Sequence, residues 1–362
     1  MDPLMSDETP RPLLSLAELD RFCRQAFLAV GADERTADAA TRGMMHATEL
    51  GVDSHGVRLL PHYLRALEGG RLNRNPQVRK TGGFGAVEVI DADHAQGAVG
   101  AFHGMDRAIA LARQFGVGAV AVRNSSHFGP AGAYALAAAR QGVIGMAFCN
   151  SDSLVRLHDG AARIHGTNPI AVGVPVAGED PWLLDMATSA IPYNRVLLYR
   201  SLGIELPGGV ASDAAGQDTR DAMQAEMLAP LGGEFGFKGA ALAGVAEILG
   251  AVLTGMKLSF DIASMDGPDF STPRQLGAFV LALNPDAFLD RGTFDAGMRR
   301  YLDMLRSSRA LAGSRVMAPG DREWQVAAER RQAGVALDPA TESAFAQIAA
   351  RFGLPMPAAT HG

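Results

Sequence analysis

Five short apolar runs constrain this chain more than any other feature. They span residues 117–122, 144–149, 170–175, 182–185 and 276–283. Each is too short for an ordinary helix and is bounded by turn residues, so each reads as a buried strand. A sixth run, Ala86-Val87-Glu88-Val89-Ile90-Asp91, alternates like a half-buried strand. Helical patterns lie between them, from about Gly104 to Phe115 and from Pro130 to Gln141, the latter with proline in its first turn. Strands alternating with helices give an α/β chain.

Both ends read as helical instead. Ser15-Leu16-Ala17-Glu18 is a capping box opening a helix to about Val30, and Asp33 or Glu34 opens the next. Residues 41–50 are helical, Gly51 stops them, and 56–67 are helical again. Residues 206–236 are rich in Gly, Asp and Pro and read as a long loop before a helix over 238–255. From Asp295 onward the chain is helical except at Ala318-Pro319-Gly320. The expected organisation is a disordered tail over 1–13, a helical domain from 14–76 plus 287–362, and a central sheet domain over 77–286. A length of 362 residues suits about two domains.

The net charge of −6 argues against a nucleic acid or an anionic membrane as partner. Cys23 and Cys149 are the only cysteines, which excludes a disulfide framework and a CxxC motif. There is no signal-peptide core and no apolar run of 18 residues, so a soluble, cytoplasmic protein is expected. The 42 glycines point to tight turns and close backbone approach, as around a cofactor.

Three segments carry chemistry. Asp53-Ser54-His55-Gly56-Val57-Arg58 places a hydroxyl, an imidazole and a guanidinium where a helical pattern restarts. An imidazole there suits proton transfer, and an arginine fork suits a carboxylate. Asn124-Ser125-Ser126-His127-Phe128-Gly129 follows a strand and offers a second imidazole. Asp185-Met186-Ala187-Thr188-Ser189 follows another strand, and Asp185 is placed either to fix a histidine tautomer or to cap a turn. The dinucleotide signature GxGxxG has one near match, 116–121, with the strand in the wrong order. Gly232-Gly233-Glu234-Phe235-Gly236-Phe237-Lys238-Gly239 opens a helix and suits a phosphate, or is a plain capping loop. His55 with His62, and His158 with His165, lack further ligands at metal-like spacing, so no metal is expected.

Together these blocks resemble the malate/L-lactate dehydrogenase family of NAD(P)-dependent oxidoreductases, which is unrelated to the Rossmann lactate and malate dehydrogenases. The resemblance covers residues 15–350 and rests on Gly51–Gly56, Asn124–Gly129, Gly166-Thr167-Asn168-Pro169, Asp185–Ser189, Lys238-Gly239 and Pro319-Gly320-Asp321. It implies a non-Rossmann fold: a central, largely antiparallel or mixed sheet flanked by a helical domain from both chain ends. It implies NAD or NADP as cofactor and a homodimer with the active site near the subunit interface. By the same resemblance His55 is the proton donor or acceptor with Ser54 beside it, Arg58 holds a substrate carboxylate, and His127 is the rival acid/base. Asp185 orients an active-site histidine. Asp185, Met186, Ala187, Thr188 and Ser189, the Phe237-Lys238 pair, and Pro319, Gly320 and Asp321 contact the cofactor. The chain departs from the family after Ser189, reading Ala190-Ile191-Pro192-Tyr193-Asn194-Arg195, which leaves NAD against NADP open. The expected reaction is hydride transfer to or from the 2-carbon of a small 2-oxo or 2-hydroxy acid. Reduction of a cyclic imino acid, and a cofactor-binding module without catalysis, are the alternatives.

Overall fold

The computed structural model describes residues 11–359, so residues 1–10 of the expected tail lie outside the described residues. The strands are β1 (Leu13–Leu14), β2 (Arg79–Gly82), β3 (Val87–Asp91), β4 (Val117–Ser125), β5 (Ile144–Cys149), β6 (Val155–Arg156) and β7 (Arg163–His165). They continue with β8 (Ile170–Val174), β9 (Trp182–Met186), β10 (Ala211–Ser212), β11 (Met227–Leu228), β12 (Leu276–Leu283) and β13 (Val335–Ala336). The helices are α1 (Leu16–Ala29), α2 (Glu34–Glu49), α3 (Leu60–Glu68), α4 (Gly97–Phe115), α5 (Gly132–Ala139) and α6 (Tyr193–Leu202). They end with α7 (Phe237–Glu247), α8 (Arg291–Arg306), α9 (Asp321–Ala333) and α10 (Pro339–Phe352).

The apolar runs assemble into one seven-stranded sheet, ordered β2-β3-β4-β12-β5-β8-β9. Only β3 and β4 run parallel; every other neighbouring pair is antiparallel. This is a mixed, non-Rossmann sheet, as the motifs implied. The fully apolar runs are strands with both faces covered, which is why they do not alternate. β9 lies at one edge, where the Pro319-Gly320 turn meets it at Leu183.

The helical ends meet as expected. Leu19, Phe22, Phe27, Leu60 and Leu67 from the N-terminal helices share one core with Phe345 and Ile348 of α10. Phe22 and Phe345 stack with centroids 4.7 Å apart. β1 pairs antiparallel with β13, which ties the two ends together. Ser15 caps α1 by accepting from Glu18 N (3.2 Å), as the capping box requires. Among the described residues, no helix is long and apolar enough to cross a membrane.

Four expectations shift. The helix expected over 56–67 breaks into short 3-10 turns, Asp53–His55 and Val57–Leu59, before α3. Pro61 has no N–H and is tolerated only in a first turn, so the α-helix restarts at Leu60. α4 begins at Gly97 rather than near Gly104. Its glycine-rich start has weak intrinsic propensity, but Gln96 caps it through Ala98 N (2.8 Å), and Gly104 packs close to Val122 and Val280. The helix expected over 238–255 ends at Glu247 and continues as a π turn to Val252. Within and before the expected loop, α6 and a small sheet, β10-β11-β6-β7, form a separate cluster around Val155, Val196, Leu206 and Leu228.

Candidate active site

The two histidine segments, 72 positions apart in sequence, come together. The His55 and His127 rings stack with centroids 5.8 Å apart and planes 16° from parallel. Backbone packing against α4 holds the His127 side of the pair. α4 starts against the His127 loop so tightly that a Cβ on Gly97 would lie 2.0 Å from His127 O. Only glycine fits there.

Each imidazole has one nitrogen anchored. Ser54 Oγ lies 3.0 Å from His55 Nδ1, and Tyr63 OH lies 2.8 Å from His127 Nδ1. That leaves Nε2 of each ring for a reacting group. Tyr63 is 2 % exposed and also bonds Gln96, so it is fixed from both sides. Both imidazoles are half-buried by area yet enclosed by enough protein for desolvation to dominate. Burial lowers the proton affinity of His55. Burial lowers that of His127 much further, with added repulsion from His55, Arg274 and His62. Burial likewise lifts the Tyr63 phenol above its ordinary range. Both rings are therefore neutral at pH 7.

Other site residues lie elsewhere. Arg58 is exposed, and its charge bears on Asp338 at the start of α10 rather than on the imidazole pair. Asp185, expected to orient a histidine, instead accepts from Gly132 N (2.8 Å) at the start of α5. The hydrogen-bond partner of His127 Nδ1 is Tyr63. Asp185 keeps exposed surface, yet lost hydration pushes its pKa up to about 6.

The segments expected to contact a cofactor line up along the β9 edge. Pro319 O accepts from Leu183 N (3.3 Å), and Gly320 packs against Leu183 with φ 97°. Asp185 is two residues on; Met186 ends the strand and Ala187 follows it. Thr188 Oγ1 donates to Thr167 O and Asn168 O (3.1 Å each), and Ser189 bridges to Pro230. Thr188 O accepts from Leu231 N (2.9 Å), next to the glycine-rich turn that opens α7. There Lys238 Nζ lies over the exposed rings of Phe235 (5.3 Å) and Phe237 (6.0 Å). Asp321 is held by Arg306 at 2.7 Å, beside a cleft of about 550 Å³ that shares no lining residue with the imidazole pair.

A buried carboxylate that sequence reading missed braces this edge. Glu247 accepts from Asn168 Nδ2 (2.8 Å), Ser259 N (2.7 Å), Ser259 Oγ (2.5 Å) and Asn150 Nδ2 (3.3 Å). Asn168 sits at φ 33° in the Gly166–Pro169 turn that supports Thr188. Tyr63 was also missed. Its only signal was an aromatic hydroxyl on the buried face of a helix, which must find a partner. Among the described residues, no three His, Cys, Asp or Glu side chains are grouped to hold a metal ion.

This geometry can be set beside known proteins. The model of the malate/L-lactate dehydrogenase family matches residues 14–345. The chain belongs to this family. A family member from Chromohalobacter salexigens, (2R)-3-sulfolactate dehydrogenase (NADP(+)), is 34% identical over 320 residues, covering 88% of this chain and 92% of its own. Malate dehydrogenase from Entamoeba histolytica superposes with a TM-score of 0.91 at 29% identity, covering 96% of this chain and 100% of its own. Delta1-piperideine-2-carboxylate reductase from Pseudomonas syringae has the same family fold, with a TM-score of 0.82 at 27% identity, covering 93% and 99%.

Proposed function

We propose that this protein is an NAD- or NADP-dependent oxidoreductase that interconverts a small 2-oxo acid and its 2-hydroxy acid. The observation that carries this is the stacked imidazole pair, neutral through burial and anchored at Nδ1, in a chain of this family. The residues along β9 suit a dinucleotide: a sheet-edge strand, a close-approach glycine at 320, and Lys238 beside a helix N-terminus. When bound, the cofactor supplies or takes the hydride at the substrate 2-carbon.

The protein moves the proton. We assign this to His127, because Tyr63 anchors its Nδ1 from a buried position. In the oxidative direction neutral His127, with its Nδ1–H donated to the Tyr63 oxygen, accepts the hydroxyl proton through Nε2. In the reductive direction His127 must first be protonated, and the arriving substrate carboxylate favours that. His55, with Ser54 beside it, packs on the ring and is the alternative acid/base. General acid–base catalysis of this kind contributes roughly 10²–10⁴-fold.

We also infer a homodimer. The α7 face and the π turn expose Leu242, Val245, Ile248, Val252 and Leu253, next to Phe235 and Phe237. An apolar face of this extent fits a second copy, and sedimentation at micromolar concentration tests it. Arg195 is exposed on the first turn of α6, within the departing segment, and is the candidate contact for a 2′-phosphate.

The test is a screen of NADH and NADPH oxidation with pyruvate, oxaloacetate and a cyclic imine, and of NAD(P)+ reduction with ureidoglycolate. Turnover of a 2-oxo acid that His127→Ala abolishes is the expected result. Preference for the imine establishes the second reading, which the likeness to the piperideine-carboxylate reductase favours. Cofactor binding with no turnover on any substrate refutes both and leaves the non-catalytic module.

A further inference from the structure

Residues 262–275 connect the 3-10 turn Ser259–Asp261 to β12 without helix or strand. Structureless loops of this length within a compact domain are usually functional. Two guanidiniums clasp this one. Arg71 donates to Met265 O (2.9 Å) and to Asp269 O. Arg274 donates through Nε to Ala263 O (2.9 Å) and pairs through Nη2 with Asp152. Phe270 of the loop packs edge-on against His62 of α3, at 5.7 Å, and under Arg71, at 4.6 Å.

Arg274 is 1 % exposed and Arg71 is 2 % exposed. Between them they pair with one half-buried carboxylate, Asp152; the Asp269 carboxylate is turned to Ser271 and Thr272 at the surface. Nε and Nη2 of Arg274 are occupied, but its Nη1 is buried with no hydrogen-bond partner among the described residues. His62 Nδ1 is in the same state. An interior cation with an idle donor is costly, and an arriving anion relieves that cost.

The location is what gives this meaning. Leu276 of β12 is registered opposite Ser125 of β4. Arg274 precedes Leu276 by two residues, at the end of β12 where β4 leads into the His127 loop. Its charge is felt by His127, by His62 and by Tyr63.

We propose that Arg274 is the clamp for the substrate carboxylate, donating through Nη1, and that the 262–273 loop is the lid that carries it into place. The proposal rests on the 2-oxo acid reading above and moves the clamp away from Arg58, whose exposed position faces Asp338. Because Nη1 is closed off in this structure, the lid must open for substrate to enter and close again on the carboxylate.

The test compares each active 2-oxo acid with its methyl ester, which keeps the reacting carbonyl and loses the charge. In Arg274→Ala, kcat/KM for the acid should fall roughly tenfold to 150-fold, the worth of one hydrogen bond to a charged group. The ester should fall by less than about threefold, so the acid-to-ester ratio collapses. Binding of oxamate to the NADH- or NADPH-saturated enzyme should weaken by the same factor. Arg274→Gln, which keeps a donor toward Ala263 O, is read in the same way should the alanine variant fail to fold. An unchanged ratio in folded Arg274 variants overturns the assignment, as does a ratio that collapses in Arg58→Ala alone. Wild-type enzyme inactive on every acid overturns the functional reading instead.

Discussion

Tyr63→Phe isolates the hydrogen bond on which the proton-transfer assignment depends. The substitution removes one hydroxyl and keeps the ring that packs in the helical core. His127 Nδ1 then loses its 2.8 Å partner in a crowded interior. A neutral imidazole has two tautomers, and the one that donates Nδ1–H to the Tyr63 oxygen leaves Nε2 able to take a proton. Such a bond is worth about 1 kcal/mol net, and an orphaned buried group costs about 1–3 kcal/mol. One to two kcal/mol corresponds to roughly a 5–30-fold shift in population. We therefore expect kcat to fall roughly 5–30-fold, with the cofactor Kd unchanged by fluorescence titration. The urea midpoint should fall as well, with the slope of unfolding unchanged. A variant with kcat within twofold of wild type refutes the tautomer argument, even if stability drops.

Three further outcomes follow from the same structure. His62 is 8 % exposed, and burial chiefly, with repulsion from Arg274, lowers its pKa from 6.5 to about 4. Its unfolded form binds the proton first, so its contribution is complete above pH 6.5 and lost as pH falls toward 4. That loss is about 3 kcal/mol; urea titrations across this window should show a steeper decline for wild type than for His62→Gln, and parallel curves count against it. His127→Ala should lower kcat by roughly 10²–10⁴-fold and His55→Ala by less; the reverse order moves the assignment to His55. Glu247→Gln turns an amide N–H toward one of the donors now bonded to the carboxylate, and should weaken cofactor binding and cost about 1–3 kcal/mol of stability. The double variant Glu247→Gln with Asn168→Asp exchanges donor and acceptor and should recover part of both losses; no recovery argues against the pair as the brace.

Local signals were legible wherever one segment settles its own structure. The strands at 144–149 and 276–283 were legible to the residue, because apolar runs of that length have one way to be buried. Ser15 declared its cap through the residues that follow it. Pro61 also carried its signal, since a proline inside a helical pattern marks a restart, and the break before α3 follows from it. α4 was misplaced by seven residues because its helical start depends on packing against β4 and β12, which local propensity does not report.

The candidate site divides along the same line. Ser54, His55 and His127 stand out in the sequence because their residue types and turn positions carry chemistry by themselves. Tyr63, Glu247 and Arg274 do not, since tyrosine in a helix, glutamate at a helix end and arginine before a strand are ordinary. Their meaning comes from partners far along the chain: Tyr63 from His127, Glu247 from Asn168, and Arg274 from Asp152. Asp185 and Arg58 show the converse, residues whose sequence context suggested contacts that the fold directs elsewhere. The sequence by itself determined six of the seven strands of the main sheet, the Ser15 cap, the family and the two imidazoles. Only the tertiary structure decided which hydroxyl holds His127 and which arginine keeps an idle donor beside it, because hydrogen bonds and burial are properties of neighbours in space.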